Sequence, residues 1–394
     1  MIHQVTNNFT QTFLESPIEK EQSDDGDSPD SITERMKPMF AVIMAGGRGT
    51  RFWPRSRQKM PKHLLDIGGE KSLIRETVDR IRPLVGPERT LIVTSRSHAV
   101  ELSRCLPEIP EENIIIEPVG RNTAPCIGLA ALHIEKRAGD AVMLVLPSDH
   151  RIEHEMEFRR VLETAATAAS SAGTLLTIGI KPTSPETGYG YLEEGDAVST
   201  DGGLQVCRVR SIREKPHLAT AQEFLKRGGF LWNSGMFVWK ASTILGEIAR
   251  FLPDIYSGLM EIKKALGSKS EDGVLERVYP FLPSVSIDYG VMEKTRDVLV
   301  IPGDFGWSDL GSWDAVWEVS KKDENQNVVH GRLIGIDAGE SLVYSPQKLV
   351  AIVGVRDILV VETEDALLIC RRGSSQDVRK VVEKIEKEGL QEYL

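Results

Sequence analysis

A basic stretch with several glycines, residues 44–65 (MAGGRGTRFWPRSRQKMPKHLL), is the part of the chain best suited to chemistry. Glycine permits positive φ and close approach of a ligand, and successive free N–H groups in such a turn form an anion nest. Arginine adds a planar fork for phosphate oxygens, and lysine adds a compact charge. The combination predicts a polyphosphate site. Its expected members are Gly46, Gly47, Arg48, Gly49, Arg51 and Lys62.

Two common glycine motifs do not account for this stretch. The dinucleotide fingerprint GxGxxG could begin at Gly47, but its third glycine would then fall on Phe52. The phosphate loop GxxxxGK, followed by Ser or Thr, is absent from the sequence. The alternative to a phosphate site is a tight strand-to-helix turn that has only a structural role and lies beside a solvated basic surface. The Thr-Arg pair after the glycines and the later Pro-Lys pair favour the phosphate site.

The whole chain of 394 residues is acidic, with a formal net charge of -10. This balance argues against broad nucleic-acid binding, so we expect the anion site to be a local basic patch. No apolar run reaches the ~20 residues that span a bilayer, and the N-terminus lacks the features of a signal peptide. The four cysteines lie far apart without a CxxC pair, which indicates reduced thiols. We therefore expect a cytoplasmic enzyme that binds no membrane.

Alternating strand and helix patterns must position the basic turn. They predict an α/β fold, a Rossmann-like and mostly parallel sheet with helices on both faces. In such sheets ligands bind beyond the carboxyl ends of the strands, where both the glycine turn and the sequence PSDH are expected. The predicted strands are 39–47, 90–95, 113–118, 141–150 and 174–182, and the predicted helices are 72–85, 124–139 and 157–173.

The composition changes twice along the chain, which predicts three regions. Residues 1–36 are polar and acidic, with little to bury, and are expected to be a disordered extension. Residues 37–325 are expected to form the catalytic domain, with further helices near 218–227 and 241–265. Residues 326–394 consist of short β-rich pieces that end in a helix, which predicts a small β-domain, in the form of a solenoid-like coil or short left-handed β-helix.

The stretch AGGRGTRFWPRSRQKMPKHLL resembles the signature of the sugar-1-phosphate nucleotidyltransferases, whose pattern is close to GGxGTRxxPxSxxxxPKxxL. Trp53-Pro54 and Ser56-Arg57 make it similar to the mannose-1-phosphate guanylyltransferase branch, while His63 departs from that branch's usual glutamine. Seven further stretches resemble the family in the same order. They are EPVGRNTAPCIGLAAL (117–132), LPSDH (146–150), GYGYLEEG (188–195), REKP (213–216), WNSGMFVW (232–239), SIDYGVMEK (286–294) and GWSDLGSWDAVWEV (306–319).

The resemblance implies that GTP and mannose 1-phosphate react to give GDP-mannose and pyrophosphate, with Mg²⁺ as the metal. The sequence does not give the oligomeric state, for which a homodimer is our expectation. An oxygen of the sugar phosphate attacks the α-phosphorus in line, and because this oxygen is already anionic no general base is needed. The long bacterial members carry a C-terminal isomerase cupin rich in histidine. This chain ends too soon for one after His330, its last histidine, so we expect a short form without isomerase activity.

The resemblance also assigns residues to the nucleotide. Arg51 and the turn backbone are expected to hold the β- and γ-phosphates, with Lys62 near the α-phosphate. Asn122 and Thr123 are expected to face the guanine or the ribose. The full nucleotide-binding set is Ala45, Gly46, Gly47, Arg48, Gly49, Thr50, Arg51, Lys62, Asn122, Thr123 and Ser148. The catalytic set is Arg51, Lys62, Asp149 and Lys215.

The metal and sugar sides follow from the same resemblance. Asp149 and Asp309 are the expected Mg²⁺ ligands, although Asp149 could instead cap a helix and Asp309 could simply lie in a turn. Lys215 is expected to neutralise the sugar phosphate, although it could form only a surface ion pair with Glu214. The sugar-phosphate-binding set is Gly190, Glu214, Lys215, Asn233 and Asp288.

Three competing interpretations remain. HRIEH (150–154) matches the inverted zinc-peptidase motif HxxEH, although no obvious third ligand follows it. A non-catalytic regulatory relative would be expected to have lost the signature cations or the metal aspartates, all of which are present here. Another sugar 1-phosphate or nucleotide, such as glucose 1-phosphate with GTP or UTP, is the alternative within the enzyme class.

Overall fold

Apolar runs bounded by glycine, proline and polar residues form the strands of this chain. A computed structural model describes residues 38–47, 49–201 and 203–394. The predicted extension at 1–36 and Arg48 lie outside the described residues. In chain order the strands are β1 (Met39–Ala45), β2 (Thr90–Ser95), β3 (Ile114–Glu117), β4 (Val142–Pro147), β5 (Arg151–Ile152), β6 (Leu175–Ile180), β7 (Gly190–Asp201), β8 (Leu204–Arg213), β9 (Phe230–Lys240), β10 (Val298–Gly303), β11 (Trp307–Ser308), β12 (Val328–Ile336), β13 (Leu342–Val353), β14 (Ile358–Glu362) and β15 (Leu367–Arg371).

Helices cover the sheet and close the chain. In order they are α1 (Leu73–Ile81), α2 (Arg96–Cys105), α3 (Thr123–Ala138), α4 (Glu155–Ala172), α5 (Leu218–Arg227), α6 (Ala241–Phe251), α7 (Pro253–Ala265), α8 (Glu271–Val278), α9 (Trp313–Val319) and α10 (Val378–Glu388). None of the helices in the described part of the chain combines the length and the apolar character that crossing a bilayer requires. The four cysteines are free thiols, as their spacing predicted.

The central sheet has nine strands in the order β3-β2-β1-β4-β9-β6-β10-β8-β7. Strands β1 to β4 are parallel to one another, as are β6 and β10, whereas β9 runs antiparallel between β4 and β6. The predicted α/β fold with a mostly parallel core is therefore confirmed. β1 lies between β2 and β4, and both are parallel to it. The glycine turn after β1 and the PSDH turn after β4 therefore emerge side by side, with Met44 opposite Pro147.

Two apolar layers cover the two faces of this sheet. One contains residues of α1, α2 and α4, and the other contains residues of α3, α6, α7 and α8. Such double coverage explains why β1, β2 and β4 are buried along almost their whole length. The rigid layers leave the strand ends as the place where polar side chains can converge.

A third apolar cluster joins the end of the chain to the basic stretch. It contains Phe52 and Trp53 from that stretch, Trp313 from α9, and residues of β13, β14, β15 and α10. Strands β12, β13 and β14 are parallel and β15 returns antiparallel, so the predicted small β-domain with a terminal helix is confirmed.

Several elements differ from the sequence prediction in detail. The span 241–265 is two helices, because Pro253 cannot continue α6 and instead opens α7. Helices α2, α8 and α9 were not predicted. The first of these follows β2 directly at Arg96, without a glycine or proline to separate the two elements.

Candidate active site

The glycine turn after β1 is shaped around one residue that must be glycine. Gly49 has a φ of 64°, and a Cβ placed on it would lie 2.4 Å from the Cβ of Lys62. The backbone of Phe52 donates to the Gly49 carbonyl at 2.9 Å and closes a single 3-10 turn over Thr50–Phe52. The conformation and the tight space together explain why the signature places glycine here, against the lysine that follows thirteen positions later in the chain.

Lys62 is the best-defined cation of the site. Its side chain is only 8 % exposed, and its Nζ lies 2.9 Å from Asp149 Oδ2. The same Nζ donates to the backbone carbonyl of Asp309 at 2.6 Å. Arg51 is exposed, and its Nη1 donates to the carbonyl of Gly311 at 3.2 Å. Both of these cations therefore contact the loop after β11, so the structure brings the predicted residues Arg51, Lys62 and Asp309 together, and their roles stay a prediction.

The two predicted metal aspartates both contact Lys62, Asp149 through its carboxylate and Asp309 through its backbone carbonyl. Burial, the largest single effect, favours the neutral form of Asp149. The charge and hydrogen bond of Lys62, together with His150 and His63, outweigh burial and hold the pKa of this carboxyl below its ordinary value. Asp149 does not cap α4, whose N-cap is His154. The Asp309 carboxylate accepts a hydrogen bond from the Tyr189 hydroxyl at 2.7 Å. The capping alternative for Asp149 is therefore not supported, and metal binding by either aspartate stays a prediction.

The carboxylates of Asp149 and Asp309 fit a metal ion that takes most of its ligands from the substrate phosphates and from water. Among the described residues, no group of three or more His, Cys, Asp or Glu side chains is arranged to hold a metal ion. Mg²⁺ needs only one or two carboxylates when phosphate oxygens and water complete its shell, and Asp149 and Asp309 supply that number. The zinc-peptidase interpretation of HRIEH is wrong, because residues 151–152 form strand β5 rather than a helix, and His150 Nδ1 accepts from the Trp307 indole at 3.1 Å.

The start of α3 holds two residues predicted to face the base or ribose. Asn122, with a φ of 67°, caps the helix through its Oδ1, which accepts from the Thr123 N–H at 2.9 Å. The Thr123 hydroxyl accepts from the Ile287 N–H at 2.7 Å. Their side chains therefore anchor the base segment, and their contact with a nucleotide stays a prediction. Ser148 is buried behind the turn, with its N–H donating to the Met44 carbonyl at 3.3 Å.

Glu117 is a candidate that the sequence reasoning missed, although it begins the quoted base segment. It ends the isoleucine-rich strand β3, is only 4 % exposed, and accepts a hydrogen bond from the Tyr279 hydroxyl. Its Oε2 lies 3.6 Å from where a Cβ on Gly46 would be, so the carboxylate borders the glycine turn. Burial raises the pKa of Glu117 to about 7, despite the hydrogen bond from Tyr279. The sequence feature that could have identified Glu117 is an acidic residue at the end of an apolar strand.

The predicted sugar-side residues form a second polar group. Asn233 donates to Asp288 Oδ1 at 2.7 Å, and Glu214 lies so close to Gly190 that a Cβ there would be 2.3 Å from Glu214 Oε2. Lys215 pairs with Glu214 at 2.5 Å. Burial, followed by the Glu214 charge, raises the pKa of Asp288 to about 6. These contacts bring all five predicted residues into one neighbourhood, and their binding of a sugar phosphate stays a prediction.

Comparison with known proteins adds independent support. Residues 40–326 match the family described as "Nucleotidyl transferase", and residues 331–385 match "MannoseP isomerase/GMP-like beta-helix domain". The chain belongs to the nucleotidyl transferase family.

Its relatives within this family share much of its sequence. It is 40 % identical over 363 residues to the mannose-1-phosphate guanylyltransferase of Escherichia coli K12, which covers 90 % of this chain and 75 % of the relative. It is 41 % identical to ManC, a protein of the same name in Salmonella typhimurium, over 91 % of this chain and 75 % of that protein. A solved structure described as mannose-1-phosphate geranyltransferase, from Thermus thermophilus, is 36 % identical with a TM-score of 0.79, covering 88 % of this chain and 99 % of that one.

Replacing Gly49 tests the geometry of the turn. Gly49→Ala is expected to lower the free energy of unfolding by about 1–2 kcal/mol for the left-handed backbone alone, and by more because its Cβ meets Lys62. Gly47→Ala is the matched control, because nothing lies within 4 Å of its added Cβ. Thermal or urea unfolding measures both, and equal stability of the two variants would contradict the assigned geometry.

Glu117 predicts a pH dependence of stability. Its pKa is about 7 in the folded protein against an ordinary 4.5, so the folded state holds the proton more tightly. The free energy of unfolding therefore falls as pH rises from the unfolded to the folded value, by at most about 3 kcal/mol. Glu117→Gln, which stays neutral, is expected to gain stability relative to the wild type between pH 5 and pH 8.

Urea unfolding of both proteins at the two pH values measures this difference. Glu111→Gln removes one charge from an exposed position six residues away and serves as the control. A stability difference between Glu117→Gln and wild type that is the same at both pH values would contradict the raised pKa.

Proposed function

We propose that this chain is a mannose-1-phosphate guanylyltransferase, which transfers GMP from GTP to α-D-mannose 1-phosphate and releases pyrophosphate. The observation that carries the proposal is the buried Lys62 ammonium, which contacts the Asp149 carboxylate and the Asp309 backbone carbonyl beside the glycine turn. This arrangement lies in a chain that is 40 % identical to a guanylyltransferase of that name. The product is GDP-mannose.

The chemistry needs charge neutralisation more than proton transfer. A phosphate oxygen of mannose 1-phosphate attacks the α-phosphorus of GTP, and the bond from that phosphorus to the bridging β-phosphate oxygen breaks. Both reactants are polyanions, so they approach only where fixed cations and N–H donors offset their repulsion. The N–H groups of the 46–49 turn and the exposed Arg51 guanidinium are proposed to bind the β- and γ-phosphates, with Ala45 and Thr50 on either side.

Lys62 is proposed to face the α-phosphate, where negative charge builds up during the transfer. Its stem is buried, so the ammonium is held in place before the substrate arrives and little reorganisation is needed. Asp149 and Asp309 are proposed to hold Mg²⁺ together with the triphosphate. When bound, this ion would neutralise phosphate oxygens and support their alignment. Tyr189 keeps the Asp309 carboxylate oriented through its hydrogen bond.

The sugar phosphate is proposed to lie beside the second polar group. Lys215 carries the positive charge that offsets the mannose phosphate, and Glu214 and Asp288 accept hydrogen bonds from sugar hydroxyls. Asn233 holds Asp288 in place at 2.7 Å while its own Oδ1 accepts from the Thr177 hydroxyl at 3.1 Å. Gly190 leaves room for Glu214, since any Cβ there would collide with that carboxylate.

Glu117 is proposed to read the guanine. Guanine presents two neighbouring donors, the N1–H and the exocyclic N2 amine, which suit one carboxylate with two acceptor oxygens. A buried acceptor of this kind discriminates strongly, because a base without the donors leaves it unpaired. Asn122 and Thr123 keep the segment after Glu117 in place. Homodimer formation, a cytoplasmic location and the choice of Mg²⁺ are further proposals, which rest on the family resemblance.

Removing the Lys62 charge is the first test of this function. Lys62→Met keeps an unbranched apolar stem but loses the ammonium, and it is expected to lower kcat by about 100-fold or more, because transition-state charge is no longer offset. The measurement is pyrophosphate release with GTP, mannose 1-phosphate and Mg²⁺. Lys59→Met, in the same loop but exposed, is the control and should retain activity. A Lys62→Met enzyme with normal kcat would contradict the assigned role.

Base selection is the second test, and inosine triphosphate isolates it because it lacks only the N2 amine of guanine. The wild type is expected to prefer GTP over inosine triphosphate by about tenfold or more in kcat/KM, whereas Glu117→Gln loses most of this preference. The same assay with UTP and with glucose 1-phosphate tests the alternative substrates. A GTP preference that survives in Glu117→Gln would remove this residue from the base site, and absence of turnover with every pair would favour a non-catalytic relative.

A further inference from the structure

We propose that the C-terminal β-domain, comprising β12–β15, α10 and the residues after them, positions the two loops that carry the catalytic cations and aspartates. The loops are the signature loop (residues 46–62) and the aspartate loop (residues 309–314). Arg57 and Asp365 are the principal positioning residues. The inference rests on the function proposed above. It assigns a role in nucleotidyl transfer to a domain that contains none of the residues proposed to contact GTP or mannose 1-phosphate.

The signature loop has two sides, and only one of them faces the proposed nucleotide site. On the other side Arg57 Nη2 pairs with Asp365 Oδ1 at 2.7 Å, in the turn between β14 and β15. The same nitrogen lies 3.4 Å from the Thr363 hydroxyl, and Arg57 Nε donates to the Pro54 carbonyl at 2.6 Å. One guanidinium therefore joins the backbone of the signature loop to the C-terminal β-domain.

Trp53 makes a second connection to the end of the chain. Its indole N–H donates to the Tyr393 carbonyl at 2.9 Å, and its own carbonyl accepts from the Trp313 indole at 3.3 Å. Two residues further on, the Arg55 guanidinium lies 4.2 Å above the ring of Tyr344 in β13. The Trp-Pro-Arg-Ser-Arg part of the signature thus contacts protein, whereas the Gly-Thr-Arg part before it is the part left for phosphate.

Phe52 packs between the rest of the third apolar cluster, which includes Trp313, and the catalytic cation Lys62. Its side chain is 1 % exposed and packs edge-on against Trp313, with ring centroids 5.1 Å apart. On its other side, Lys62 Nζ lies 5.5 Å from the centre of the Phe52 ring. Trp313 belongs to the same cluster as Leu342, Leu359 and other residues of the C-terminal β-domain. Closely packed interiors transmit displacement, so the domain determines where this ring lies.

The aspartate loop is tied to the same domain at its far end. Asp314 accepts hydrogen bonds from the Gly373 N–H at 2.8 Å and the Ser375 N–H at 3.2 Å, both between β15 and α10. Earlier in this loop, the carbonyls of Asp309 and Gly311 accept from Lys62 and Arg51. Each site loop is therefore bonded to the other at the site and to the C-terminal β-domain behind it.

Two variants of the full-length protein test this role. Asp365→Asn keeps the shape of the side chain and removes the charge, and it is expected to lower kcat/KM for GTP about threefold, since the pair is partly exposed. Arg57→Ala removes three contacts and is expected to lower it about tenfold. In both variants the KM for mannose 1-phosphate and the Tm should stay close to wild type, and the double variant should be no worse than Arg57→Ala alone.

Glu383→Gln is the matched control, because it also removes one charge in the C-terminal β-domain but breaks only an exposed pair with Arg379. It should leave kcat/KM for GTP unchanged. Wild-type kcat/KM in both Arg57→Ala and Asp365→Asn would overturn the inference, and so would losses that fall equally on both substrates together with a lowered Tm. If wild type forms no GDP-mannose, the proposed function fails, and weaker GTP binding by Arg57→Ala in calorimetry then decides this inference separately.

Discussion

A buried ammonium group is costly unless its charge is matched, and the organisation of this site follows from matching the charge of Lys62. The side chain reaches its position because Gly49 leaves space for its Cβ, and it stays there because Asp149 and the Asp309 carbonyl accept from it. Those partners come from three separate places in the chain, the signature loop, the end of β4 and the loop after β11. The parallel pairing of β1 with β4 is what brings the first two together.

The pair formed by Lys62 and Asp149 also suits the exchange of charged partners that the proposed function requires. In the absence of substrate the ammonium is neutralised by a carboxylate, and the low pKa of Asp149 keeps that carboxylate ionised at neutral pH. Binding of a phosphate and a divalent cation would exchange these partners, the ammonium for phosphate oxygen and the carboxylate for metal. Such an exchange avoids the larger cost of leaving either charge unpaired in a buried place.

Much of this arrangement was predictable from the sequence. Apolar runs that end in glycine or in PSDH predicted the parallel core. The signature residues predicted Arg51 and Lys62 as site residues, and the family resemblance of LPSDH and GWSDLG added Asp149 and Asp309. The position of β9 between β4 and β6 was not predictable, because antiparallel insertion leaves no mark in a locally apolar strand. Glu117 was missed because its importance depends on burial next to Gly46, 71 positions earlier in the chain. The contacts of Arg57 with Thr363 and Asp365 likewise join distant segments, so no local pattern could reveal them.

Tyr189 lies between the proposed metal site and the proposed sugar site. Its hydroxyl donates to Asp309 on the metal side, its ring packs against Trp232 and Trp307, and the next residue in the chain is Gly190 on the sugar side. Under the proposed function, the donor and acceptor subsites would therefore lie on either side of one aromatic cluster formed by Tyr189, Trp232 and Trp307. Packing of that cluster, and not the affinity for either substrate alone, would then set the spacing between the attacking oxygen and the phosphorus.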